Sequence, residues 1–224
     1  MSSDILTRIG EGRTDLVFEY FSEGQPAELK DRSGTPLILY CADAGDVSAV
    51  RFLLSKGESL ASIGPNLGLF GAAFHGHWQL CEFLIENGAD VNLAEVDTGE
   101  TPLHAALCKA NRPAYDAVVK VLLENGANPN CATKPDVPTE CFMRDIRTKG
   151  ETPLHRAAAF GSERAIQLLL DAGAVIDAKD VSGDSPLTWA SWHLRPAAIL
   201  RMLCYDNFRI HAGNKSTYDH GIGW

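Results

Sequence analysis

Gly150-Glu151-Thr152-Pro153-Leu154-His155-Arg156-Ala157-Ala158-Ala159-Phe160-Gly161, continued by Ser162-Glu163-Arg164-Ala165-Ile166-Gln167-Leu168-Leu169-Leu170-Asp171-Ala172-Gly173, is the stretch on which the fold turns. Thr152 is a good helix N-cap, and Pro153 suits the first helical position, where a missing N–H costs nothing. Ala157 and Ala158 allow a neighbouring helix to approach closely. Gly161 is expected to end the helix in the left-handed conformation, and Ser162 to cap the next one. Ile166, Leu169 and Leu170 then form an i, i+3, i+4 apolar stripe that Gly173 stops. The whole reads as a helical hairpin, too small to bury its own apolar stripes without copies of itself on either side.

Copies are present. Gly99-Glu100-Thr101-Pro102-Leu103-His104 opens a second instance, Gly34-Thr35-Pro36-Leu37 a third, and Gly183-Asp184-Ser185-Pro186-Leu187 a fourth. The interval from Thr152 to Ser185 recurs from Gly24 to Gly57. Between them Leu67-Gly68-Leu69-Phe70 stands where Thr-Pro-Leu-His is missing, yet Ala72-Ala73-Phe74-His75-Gly76-His77 and Phe83-Leu84-Ile85-Glu86-Asn87-Gly88 keep the pattern. At the N-terminus Gly12, Leu16, Val17, Tyr20 and Phe21 keep the spacing, while Arg8, Glu11, Arg13 and Asp15 add the polarity of a terminal repeat.

The Thr-Pro-Leu-His signature at this interval resembles the ankyrin repeat, whose period is about 33 residues. The resemblance implies an all-α ankyrin-repeat solenoid of about six helix-turn-helix repeats, with one extended inter-repeat loop and a C-terminal tail. The repeats fall at about 1–31, 32–63, 64–97, 98–148, 149–181 and 182–211, as a single domain 1–211 followed by a tail, 212–224. It also implies that His104 and His155 bond backbone between neighbouring repeats and are not catalytic.

Two irregularities break the period. The interval from Thr101 to Gly126 is longer than the matching one from Thr152 to Gly173, so a few extra residues lie near Asn111-Arg112-Pro113-Ala114 and should lengthen the turn between helices. The interval from Gly126 to Thr152 is more than double that from Gly173 to Ser185, which places a larger insert within Cys131–Lys149. Because both its boundaries coincide with a repeat junction, the insert should lie outside the packed hairpins.

A net charge of −9 across 224 residues, with no basic stripe, argues against nucleic acid and against anionic membranes as partners. No apolar run approaches the roughly 20 residues of a spanning helix, and the N-terminus lacks the basic-then-apolar order of a signal peptide. The cytoplasm is the expected location, with the nucleus or secretion as an effector left open, and a monomer is expected. Cys41, Cys81, Cys108, Cys131, Cys141 and Cys204 form no Cys-x-x-Cys pair. With His75 and His77 merely flanking Gly76, neither a metal site nor a cofactor is expected.

In this family partners dock on the concave face of the first helices and on the fingers between repeats. Carried onto this chain, that face holds Gly71, Phe74 and His75; Ala105, Cys108 and Lys109; Arg156, Ala159 and Phe160; and Trp189, Trp192 and His193. Of these Phe74, His75, Lys109, Arg156, Phe160, Trp189, Trp192 and His193, with Arg144 on the insert, are the candidate contacts. Aromatic and arginine side chains are typical interface anchors. Basic residues on an acidic protein suit a protein or peptide partner of acidic and apolar character. The competing reading is that Trp189 and Trp192 only seal the last repeat.

The expected function is therefore non-catalytic protein binding. An inhibitor, a regulatory subunit or a bacterial effector that blocks a partner enzyme is the alternative. An enzyme with its site on the 131–149 insert, using Cys131 or Cys141, is a more distant one, since neither a nucleophile motif nor a phosphate-binding loop accompanies these cysteines.

Overall fold

The computed structural model describes residues 2–22, 30, 34–108, 113–139 and 146–206. Its contacts divide the chain into two compact units, Met1–Asp90 and Val91–Trp224. Each is a stack of helical hairpins, and each has its own core.

In the first unit the hairpins are α1 (Ser2–Gly10) with α2 (Leu16–Ser22), α3 (Leu37–Asp43) with α4 (Val47–Ser55), and α5 (Leu69–His75) with α6 (Trp78–Glu86). The first helices α1, α3 and α5 pack in order, and so do the second helices α2, α4 and α6. Ile9, Val17, Leu37, Ile38, Leu53, Leu69 and Leu84 are fully buried between them. Asp46 caps α4, one carboxylate oxygen accepting from the Ala49 amide at 3.0 Å and the other from the Thr14 hydroxyl at 2.6 Å, which ties the first hairpin to the second. The His77 ring lies where a side chain at Gly45 would go. Its Nε2 donates to the Asp43 carbonyl at 2.9 Å. Without Thr-Pro, α5 is reached through Asn66, Leu67 and Gly68 in left-handed conformations (φ 50°, 56° and 81°).

In the second unit the hairpins are α7 (Pro102–Ala106) with α8 (Pro113–Glu124), α9 (Pro153–Phe160) with α10 (Glu163–Asp171), and α11 (Pro186–Trp192) with α12 (Ala197–Met202). A ribbon of β1 (Pro138–Thr139) and β2 (Ile146–Arg147) stands between α8 and α9 in sequence. The two Thr-Pro-Leu-His segments repeat one geometry. The amide of Thr101 donates to His104 Nδ1 and that of Thr152 to His155 Nδ1, each at 3.1 Å. Nδ1 is therefore the acceptor and Nε2 carries the proton. Nε2 of His104 meets the Glu151 carbonyl at 3.3 Å and Nε2 of His155 the Asp184 carbonyl at 3.1 Å, joining each repeat to the next.

A second link recurs in both units. The side-chain amide of Asn66 brackets Asp90, donating to its carbonyl at 2.7 Å and accepting from its amide at 2.8 Å. Asn92 does the same with the Gly126 carbonyl and the Asn128 amide, and Asn130 with the Gly173 carbonyl and the Val175 amide. Each asparagine lies before one second helix and holds the chain that leaves it.

Two expectations change. Gly161 has φ −70°, not a left-handed conformation. Glycine is needed there for space, because a Cβ would lie 2.8 Å from the Ala157 carbonyl oxygen. The helix end is closed instead by Arg195, whose guanidinium donates to the carbonyls of Ala159 and Gly161. The extra length of the fourth repeat falls between its helices, as expected: α8 has 12 residues against 9 in α10, but α7 has 5 against 8 in α9. The insert is not set apart from the packed hairpins, as its threonines show below.

Candidate protein-binding face

Glu100 and Glu151 both directly precede the Thr-Pro of their repeats, and both are buried. The first residue after His155, Arg156, has 0% exposure and lies between them. Its Nη2 reaches Glu100 Oε1 at 2.5 Å and Glu151 Oε1 at 2.6 Å, its Nε reaches Glu151 Oε1 at 3.0 Å, and Nη1 reaches the His104 carbonyl at 3.4 Å. Two carboxylates around one guanidinium leave an excess negative charge, and burying it requires further donors. The insert supplies them. Thr139 donates its hydroxyl to Glu100 at 2.8 Å, Thr133 donates to Glu151 Oε2 at 2.7 Å, and the Lys149 amide donates to the same oxygen at 2.7 Å. Thr148, also buried, donates to the Lys134 and Val137 carbonyls within the ribbon. No buried side-chain N or O among the described residues lacks a partner.

Electrostatics follow this geometry. Burial alone would raise the Glu151 carboxyl, but the Arg156 charge and the hydrogen bonds from Lys149 and Thr133 bring it down to about 2. Burial, then the Arg156 charge, hold His104 down to about 3, so its imidazole is neutral. His155 is lowered chiefly by burial. Burial pushes the Cys41 and Cys81 thiols up to about 12, and raises Cys131 as well.

The sequence-based site assignments separate into those inside and those outside. Arg156, expected on the concave partner-binding face, is a core residue: the fourth position after the Thr cap of α9 faces the preceding repeat, and α9 is buried from Pro153 to Ala159. Ala105, Cys108 and Ala159, assigned to the same face, are buried too. Trp189 is 5% exposed, its indole Nε1 donating to Asp180 Oδ2 at 3.0 Å and its ring 5.4 Å from that of His155. It closes the core. Trp192, one turn on, is 61% exposed. The half-buried Phe160 and the exposed His193, which follows Trp192 in the chain, pair edge to face at 4.7 Å. Lys149 Nζ stands 5.8 Å from the Trp189 ring and 5.7 Å from the Trp192 ring. Phe74 and His75 pair at 5.1 Å on α5 in the first unit. Lys109, Cys141, Arg144 and the tail 212–224 lie outside the described residues.

The match to known proteins decides the family. A family model described as ankyrin repeats (3 copies) matches residues 64–133 and 135–214. The chain belongs to the ankyrin repeat family. Neurogenic locus notch homolog protein 4 of Homo sapiens is 37% identical over 123 residues, covering 53% of this ankyrin repeat chain and 5% of that protein. Rabankyrin-5 of Homo sapiens is 35% identical over 120 residues, 50% of this chain and 9% of that protein. A third relative, palmitoyltransferase ZDHHC13 of Homo sapiens, is 26% identical over 207 residues, 84% of this chain and 33% of that protein. The ankyrin repeat chain thus spans no more than a third of the length of these curated relatives.

Glu100, Glu151, Thr133, Thr139 and Lys149 are not among the candidates read from the sequence. One signal was legible: the same Gly-Glu-Thr-Pro-Leu-His string occurs twice, so an acid recurs before each cap. Among the described residues of this ankyrin repeat chain, no group of three or more His, Cys, Asp or Glu could hold a metal ion, and no helix is long and apolar enough to cross a membrane.

Proposed function

We propose that the chain is a non-catalytic protein-binding module that takes an exposed segment of another protein on the surface formed by Phe160, Trp192 and His193, with Lys149 as its cation. Ankyrin repeats are generally protein-interaction modules, and the observation that carries this reading is Trp192, a large exposed aromatic whose ring lies 5.7 Å from Lys149 Nζ and which precedes His193, the partner of Phe160. A partner with an apolar anchor for the rings and a carboxylate for Lys149 fits this chemistry. Desolvated aromatic contacts supply affinity, and rim charges mainly raise the association rate. Phe74 and His75 on the first unit, with Lys109 and Arg144, are retained as further contacts.

The non-catalytic reading is supported at Cys131, where burial raises the thiol, the opposite of what an activated nucleophile needs. A cytoplasmic location is part of this reading.

The test is affinity capture with quantitative mass spectrometry, using the wild-type chain beside Trp192→Ala and Lys149→Glu variants of unchanged melting temperature. Proteins enriched on the wild type should be lost from Trp192→Ala, whose effect on affinity for a purified partner should be about 2 kcal/mol or more. Lys149→Glu should mainly slow association. An identical bound set on all three would overturn the assignment of this surface.

A further inference from the structure

A lysine on a surface finger ordinarily samples many rotamers, and a partner carboxylate must then order it on binding. Lys149 has both of its backbone polar groups held by different neighbours. Its amide donates to Glu151 Oε2 at 2.7 Å, and its carbonyl accepts from the Val181 amide at 2.9 Å. The Glu151 carboxylate is itself held from the far side, where Arg156 grips Oε1 through Nε and Nη2 at 3.0 and 2.6 Å. Oε2 is then turned toward the ribbon, to receive Thr133 and Lys149. The Trp189 ring that Lys149 stands against is fixed in turn, because Asp180 accepts from Trp189 Nε1 with Oδ2 and from the Ser182 and Asp184 amides with Oδ1.

We propose that the buried Glu100–Arg156–Glu151 cluster is a positioning device for the binding surface: through Thr133, Thr139 and the Lys149 amide it sets the ribbon so that Lys149 stands ready over the rings of Trp189 and Trp192. This rests on the reading of that surface as the partner site. Arg156 and Glu151 are buried beneath that surface and act through Lys149.

The physical reason for an ionic device lies in its demand for donors. An apolar cluster of the same volume would fill the space without requiring any particular ribbon conformation. Two carboxylates sharing one guanidinium require further donors, and Thr133 and Lys149 at Glu151 and Thr139 at Glu100 all come from the insert. Packing the fourth repeat against the fifth therefore selects one ribbon conformation. Thr139 and Thr133 sit on its inner side, while Arg147 and Lys149 are exposed. Buried ionic groups are known to be retained for conformational specificity in some proteins even where apolar groups would be as stable.

The test uses the full chain with Glu151→Gln, which keeps the shape and removes the charge, and Thr133→Val, which removes one hydroxyl and leaves the Arg156 pairs intact should the first variant fold poorly. Thr133→Ser is the rescue. Two readouts are taken. In the free protein, the Lys149 side-chain methylene resonances should be shifted upfield by the indole rings in the wild type and in Thr133→Ser, and should relax toward the values of an unconstrained lysine in Glu151→Gln and Thr133→Val, while the Trp189 indole N–H, bonded to Asp180, keeps its position. The second readout is stopped-flow association with an acetylated, amidated probe peptide carrying one phenylalanine between glutamates, at low salt. The expected result is a several-fold slower association for Thr133→Val and a larger slowing for Glu151→Gln, restored by Thr133→Ser. Lys149 resonances unchanged in both variants, or released resonances with wild-type association, would overturn the positioning role. A wild type that fails to bind the peptide overturns the partner chemistry instead, and the resonances then still decide whether the cluster positions Lys149.

Discussion

Helices α5 and α9 occupy equivalent places in the third and fifth repeats and are held by different chemistry. Around α5 the buried residues are Leu69, Ala72 and Ala73, and the helix begins after a left-handed turn with no Thr-Pro cap. Around α9 the capping threonine, the histidine and an arginine are all buried, and two glutamates with two threonine hydroxyls complete their bonds. Both repeats share the asparagine clamp, through Asn66 and Asn130. Apolar packing is indifferent to orientation, whereas a buried ion is costly unless its partners stand at particular distances. The junction of the fourth and fifth repeats is thus bonded to a loop outside the repeat pattern.

The sharpest way to break this contrast is Arg156→Ala. It strands two buried carboxylates and should cost about 3–5 kcal/mol in urea unfolding, with hydrogen-exchange protection lost first in α7 and α9. Joint replacement of Arg156, Glu100 and Glu151 by Met, Gln and Gln should recover much of that loss. A single-variant cost below about 1 kcal/mol would mean the cluster is no anchor at all. Leu84→Ala in the first unit should cost about 2–5 kcal/mol through its cavity alone, with no dependence on pH.

Acid should separate the two regions next. His104 is held down to about 3 from 6.5 in the folded chain and His155 is also lowered, so below pH 6.5 the unfolded chain binds protons that the folded one does not. Stability present above pH 6.5 should then fall by about 1.4 kcal/mol per pH unit for each histidine until its folded value is passed. Glu151, lowered from 4.5 to about 2, adds a loss in the same direction below pH 4.5. Asp43 in the first unit, raised by burial, runs the opposite way. Exchange protection in α9 should therefore fade on acidification before that in α4, and simultaneous loss would refute the assignment.

Smaller effects sharpen the picture. Asn130→Ala removes both bonds of one clamp and should cost about 1 kcal/mol, whether unfolding is driven by heat or by urea. Trp192→Ala, at an exposed site, should change stability by no more than about 0.5 kcal/mol, and a larger loss would show that Trp192 seals the repeat as Trp189 does.

Residue order alone carried the hairpins, their caps and their period, because Thr152, Pro153, Ser162 and Gly173 act on their immediate neighbours. The role of His104 and His155 was legible from the family resemblance, and the structure places both on the backbone of the next repeat. Gly161 misled because a glycine can be required for space as well as for a positive φ, and only the position of Ala157 distinguishes the two. Trp189 and Trp192 are close in the chain and alike in sequence, yet Asp180 draws one inside and leaves the other in solvent.

The sequence by itself determined that this chain is a set of helical hairpins recurring at the interval from Thr152 to Ser185, since helix periodicity and capping are local properties of the chain. Tertiary structure alone decided that Arg156 is a core residue, that the 131–149 insert is bonded to the junction, and that Lys149 stands over two indoles. These depend on Thr139 and Arg156 meeting Glu100 from far along the chain, and a charge is buried or exposed according to partners that no local window contains.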